Sequence, residues 1–160
     1  MSRTRIIIIL GVILAVFLGA GFYYFNSADY YKPATTLPIK QLTISNISLT
    51  VEVASKPADQ TRGLSGRESL LPDHGMLFAF TEPDIYEFWM KDMKFPLDFI
   101  WIRNNTVVQL DHNIPAPSDN SENPARVSPK QPIDTVIEIS AGWLAKNSIK
   151  VGDRLEGLTK

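Results

Sequence analysis

The densest run of chemistry-bearing side chains is Tyr86 to Asp98, YEFWMKDMKFPLD. Its rings are interleaved with Glu87, Lys91, Asp92 and Asp98. Sugar- and peptide-binding faces use this mixture, because rings stack on apolar surface while charged tips take hydrogen bonds. Read as a strand, the segment sends Phe88 and Met90 to the core and leaves Glu87, Trp89 and Lys91 outside, although Trp89 would serve equally as a core ring, its indole N–H needing only one buried partner. Asp98 then interrupts the apolar run Phe95 to Ile102, on the same face as Ile100 and Ile102. Glu138, between Ile137 and Ile139, alternates to the opposite side with Val136, so that side is either solvent or a polar pocket. An acid carried alone into an apolar interior costs several kcal/mol, so partners are expected. Arg62, Arg67 and Lys91 are the candidates, with arginine offering a two-pronged fork.

These residues support two chemistries. Asp98 and Glu138 with the arginines form either an ion-pair framework and ligand contacts, or an acid–base pair. Glycoside hydrolysis through the two carboxyls would need them roughly 5–9.5 Å apart on either side of a bond. His74 and His112, beside Asp73 and Asp111, are the only histidines and so the weak candidates for a metal. They lack a ligand-like spacing and flank turns, so no metal is expected. The chain has no cysteine, which excludes disulfides, thiolate zinc, iron–sulfur clusters and thiol nucleophiles. No G-x-S-x-G, phosphate loop or dinucleotide fingerprint occurs, and no cofactor is expected.

Short strands must position these groups. Leu42 and Ile44, then Ile47, Leu49, Val51 and Val53, alternate around a break at Ser45-Asn46. Pro57 to Ser65 predicts a short helix, with Ser55 as its cap and Gly63 near its end. Further strands are expected at Met76–Phe80, Tyr86–Met90, Leu97–Arg103, Thr106–Asp111 after an Asn104-Asn105 turn, and Thr135–Ile139. Ser140 is placed to cap a second short helix through Trp143 and Leu144, and Ile149 to Leu158 reads as strand–turn–strand around Gly152-Asp153. Asn113 to Pro132 is a proline-rich loop of unusual length for a small domain. The fold class is α+β and β-rich, a small barrel-like or two-sheet domain with two short helices.

One transmembrane helix precedes that domain. Residues 6–25 are uncharged, and about twenty helical residues span a bilayer core of about 30 Å. Arg3 and Arg5 keep residues 1–5 cytoplasmic, and Phe22 to Phe25 supply the aromatic belt on the far side. The run is longer than a signal-peptide core and lacks a clear cleavage site, which favours a retained anchor. Gly11, Ala15 and Gly19 make a small-residue stripe suited to a transmembrane homodimer. Residues 26–38 form a tether, leaving 39–160 as the extracytoplasmic domain. The chain's 16 basic and 17 acidic side chains argue against nucleic acid as a partner, and the domain's 13 and 16 are too mild an imbalance to predict an ionic partner.

Four segments carry a resemblance: Thr61-Arg62-Gly63-Leu64 with Arg67; Gly75-Met76-Leu77-Phe78; Phe88-Trp89-Met90-Lys91 with Pro96-Leu97-Asp98; and Ile137-Glu138-Ile139 through Ala141-Gly142 to Lys150-Val151-Gly152-Asp153. In this order they resemble the uncharacterised domain-of-unknown-function family numbered 192, also catalogued as uncharacterised protein family 127. The resemblance spans about residues 48–158. It implies a small β-rich domain, often secreted or tethered to a membrane, with no assigned reaction. The family's proline loop commonly carries a cysteine near the position of Ala116, so a thiol role there does not transfer.

The functional expectation is a membrane-anchored, non-enzymatic binding or accessory module for an envelope glycan or protein. Its expected ligand-binding residues are Trp89, Lys91, Asp98, Arg62, Arg67 and Glu138. The alternative is a hydrolase of glycans or peptides acting through Asp98 and Glu138.

Overall fold

The structure, a computed structural model, describes residues 37–118 and 123–158. The expected anchor (6–25), its Gly11/Ala15/Gly19 stripe and residues 26–36 of the tether lie outside the described residues. Among the described residues no helix is long and apolar enough to cross a membrane.

Among the described residues nine strands and two helices follow one another: β1 (Ile39–Ile44), β2 (Ile47–Ala54), α1 (Pro57–Arg62), β3 (His74–Asp84), β4 (Phe88–Trp89), β5 (Leu97–Arg103), β6 (Thr106–Ile114), β7 (Arg126–Val127), β8 (Ile133–Ser140), α2 (Trp143–Asn147) and β9 (Leu155–Glu156). Seven strands form one sheet in the order β6-β5-β8-β3-β2-β1-β9, and β4 pairs with β7 in a second, two-stranded sheet. Among the described residues only β2 and β3 pair in parallel, joined by the crossover that contains α1. The two-residue turns at Ser45-Asn46 and Asn104-Asn105 all have positive φ, between 48° and 68°. That is the mirror-image turn whose twist matches antiparallel strands. At the far end, Thr106 bridges Arg154, Val107 donates to Asp153 O, and Gly152 donates back to Val107 O. The Val-Gly-Asp segment thus draws the sheet's outer strands together at one end, and the sheet curls into a half-barrel.

Two cores lie on either side of the central strands. Inside the curl, Leu42, Ile44, Val51, Leu77, Ile100 and Ile137 meet Trp143 and Leu144 of α2. Outside it, Met76, Phe78, Phe99, Trp101 and Val136 are covered by Leu64, Met90 and Met93 from the connecting segments. This explains why Leu97 to Ile102 of β5 are all buried. A strand packed on both faces needs apolar residues at every position rather than at alternate ones.

Several expectations are corrected here. α1 is N-capped by Lys56 rather than Ser55, with no side-chain cap bond. α1 has no buried residue, so packing of an apolar face does not hold it; Gln60 Nε2 instead donates to Ala79 O at 2.9 Å. α2 begins at Gly142 rather than from a Ser140 cap. The Tyr86–Met90 strand shortens to Phe88–Trp89, and of Ile149 to Leu158 only Leu155–Glu156 is strand. The proline-rich stretch contributes β7.

The glycine of Gly75-Met76-Leu77-Phe78 has a steric cause. A Cβ on Gly75 would lie 2.5 Å from the Glu138 carbonyl oxygen across the β3–β8 ladder. Gly75→Ala should therefore destabilise the fold by about 2 kcal/mol through overpacking, read as a lower urea midpoint. An unchanged midpoint would mean that β3 and β8 separate without cost.

Candidate functional site

Alternation within β4 builds the first candidate surface. Phe88 points inward, with its ring edge-on to Phe78 at 4.9 Å, Trp101 at 5.6 Å and Phe99 at 5.9 Å between centroids. Met90 is fully buried two residues on, so Trp89 between them faces outward and is 41% exposed. Lys91 Nζ and Arg126 Cζ each lie 5.4 Å from the Trp89 ring centroid, within cation–π range. Arg126 stands opposite Trp89 in the β4–β7 pair and also ion-pairs with Glu87. Among the described residues Lys91 has no carboxylate partner. Two backbone contacts steady it: Ser65 Oγ donates to Lys91 O at 2.9 Å and Gly66 N–H to Asp92 O at 2.8 Å.

The two acids have separate environments. Asp98 lies on the inner face with Ile100 and Ile102, as alternation requires, and is fully buried. Its partner is neither Arg62, Arg67 nor Lys91. Its carboxyl accepts the N–H of Asn113 at 2.9 Å and of Leu144 at 3.0 Å, joining the end of β6 to the first turn of α2. Arg67 instead forms a two-pronged pair with Glu52, whose carboxyl it holds below the ordinary range. Arg62 is exposed in the last turn of α1, with no side-chain partner among the described residues.

Glu138 is directly opposite Phe99 of β5 and Met76 of β3, so it faces the outer core. The expected solvent or polar pocket on that side is absent: Val136 is buried in apolar surroundings, and Glu138 itself is 5% exposed. Oε2 lies 3.8 Å from the place a Gly63 Cβ would take, beside the Phe78 ring. Burial alone pushes the carboxyl up to about 8. Asp98 and Glu138 therefore occupy opposite faces of one sheet and do not flank a common bond.

The histidines line different clefts. His74, its Nδ1 2.8 Å from Pro72 O, borders a cleft of about 390 Å3 with Ser140 and Trp143. Trp143 Nε1 donates to Asp73 at 2.9 Å across the same region. His112 borders a larger cleft of about 750 Å3 between β6 and residues 149–151. Among the described residues no three histidine, aspartate or glutamate side chains are grouped to hold a metal.

Sequence reasoning missed Arg126 and Glu52. Arg126 lay hidden in the proline-rich stretch, where nothing marks a two-residue strand. Glu52 occupies an alternating polar position of β2, where nothing in the sequence marks it out. The only available signal was the requirement that Arg67 find a carboxylate.

Comparison with known proteins then places the domain. The chain belongs to the DUF192 family, described as an uncharacterized ACR, which matches residues 40–157. A crystal structure of a candidate transcription regulator from Sinorhizobium meliloti 1021 is similar at 32% identity and a TM-score of 0.69, covering 77% of this chain and 96% of that one. A crystal structure of a protein of unknown function from Novosphingobium aromaticivorans DSM 12444 is similar at 29% identity and a TM-score of 0.67, covering 78% and 89%. No curated protein matches the chain.

Asp98→Asn should cost about 2–3 kcal/mol, because an amide offers one acceptor to two backbone donors. Chemical denaturation would read the loss; a wild-type midpoint would contradict the capping role. Glu138 predicts a pH dependence of known sign. Its folded value, about 8, exceeds the ordinary 4.5, so the folded state holds the extra proton between them. Stability should fall as pH rises through that window, by about 1.4 kcal/mol per unit, and level off above it. Glu138→Gln should flatten the slope in melting curves from pH 5 to 9; an equally steep variant would remove Glu138 as the cause.

Proposed function

We propose that this DUF192 domain is a non-enzymatic binding module, held outside the cytoplasm by residues 6–25, that engages an envelope glycan or a neighbouring protein. Trp89 carries the reading: a large ring kept 41% exposed between two cations, on a strand whose neighbouring side chains are locked in the core. Exposing an indole forgoes burial worth about 1.5–3 kcal/mol, a cost that contact with a ligand recovers. Lys91 and Arg126, both over the Trp89 ring, add donors for carboxylate or phosphate groups beside it. The opposite facing of Asp98 and Glu138 favours binding over paired-carboxyl hydrolysis, since both acids serve the interior.

Trp101 and Trp143 are buried, which makes Trp89 a selective fluorescence reporter. Acidic cell-wall polysaccharide fragments and acidic peptides titrated into the full chain should shield Trp89 from acrylamide quenching. Trp89→Ala and Lys91→Ala should each weaken binding by about tenfold, as truncated aromatic and cationic anchors do. Ligands that bind both variants as tightly as the wild type would defeat this reading.

A further inference from the structure

The half-barrel stays open along one line. β6 pairs with β5 on one side. On its other side, bonds to the 152–155 segment involve only Asn105, Thr106 and Val107. A bulge follows at once, with Ile102 opposite Val107 but Trp101 opposite Gln109. A bulge bends its strand locally, and the bonds to the chain that returns from α2 stop there. Among the described residues, no backbone hydrogen bond reaches residues 108–112 from the side away from β5. Such an edge is a ready template for another strand.

The opening is a shaped groove rather than a flat edge. It is the cleft of about 750 Å3, with Leu110 and the buried Ile149 in its lining. Gln109 builds one wall: its Oε1 accepts the Lys130 N–H at 2.8 Å and its Nε2 donates to Ser128 O at 3.3 Å. Lys150 and Val151, the latter 60% exposed, form the other wall. The lining holds Lys130, Lys150 and His112 but no carboxylate, although acids outnumber bases across residues 39–160, 16 to 13. The nearby acids are engaged elsewhere: Asp111 accepts from Trp101 Nε1 and Gln109 Nε2, and Asp153 accepts the Lys150 N–H.

We propose that this seam docks an extended acidic peptide of a partner protein, which adds as a strand to the free edge of β6. Its main chain pairs with residues 108–112, and carboxylates on its side chains meet Lys130 and Lys150. A polyanionic glycan would satisfy the lysines but leave the strand's amides and carbonyls unmatched. The groove is separate from the Trp89 surface and does not depend on its role.

The test uses the full chain and a fluorescein-labelled hexapeptide of alternating valine and glutamate, followed by anisotropy. Saturable binding is expected, and an alternating valine–lysine peptide should not bind. Lys130→Glu and Lys150→Glu should each weaken it by about five- to tenfold. N-methylation of alternate peptide amides should abolish binding, and the amides of residues 109–112 should exchange more slowly in the complex. Trp89→Ala should bind the peptide as the wild type does, which separates this site from the other. The proposal is overturned if the peptide does not bind, or if its N-methylated form binds equally well. It is likewise overturned if polygalacturonate binds with the same lysine dependence and the hexapeptide gives no exchange protection.

Discussion

Asp98 has no exposed surface, yet its two carboxyl oxygens accept backbone N–H groups from two different elements, Asn113 after the body of β6 and Leu144 in α2. α2 has five residues and begins at a left-handed Gly142 with no side-chain cap. A helix of that length is not stable by propensity and depends on tertiary contacts. Asp98 supplies the missing cap from a neighbouring strand, and burial of Trp143 and Leu144 supplies the rest. One buried acid thus ties the inner core to the strand whose far edge forms the open seam.

Burial on both faces of β3, β8 and β5 sets the terms for every polar group there. Asp98 meets them with two donors. Glu138 meets them by holding its proton, since Arg67, the cation that reaches its side of the sheet, is taken by Glu52. The difference arises from one step of strand alternation, which sends the two acids to different cores. Gly75 belongs to the same constraint, because β3 and β8 approach too closely there for any side chain.

The two exposed surfaces also result from interior packing. Trp89 stands outside because Phe88 and Met90 on either side of it are held inside. The seam exists because the closing contacts of the curled sheet stop at Val107, where the β5–β6 register shifts. Both surfaces are rich in cations within a mildly acidic domain, so each favours anionic partners by charge while differing in shape. One is an aromatic patch and the other a strand edge.

Alternating residues and short Asn-containing turns made β1 and β2 around Ser45-Asn46 legible from order alone, and a continuous apolar run before Asn104-Asn105 did the same for β5, while the side on which Trp89 stands was left open. The family motifs were legible too, although not the reasons for them. What only the tertiary structure decided were the partners. Asp98 turned to backbone amides rather than to Arg62 or Arg67, Arg67 turned to Glu52, and Glu138 has no side-chain partner among the described residues. Local order specifies which way a side chain points along a strand, because that depends on its immediate neighbours. Which atom it meets depends on strands brought together from distant parts of the chain, and no local pattern encodes that meeting.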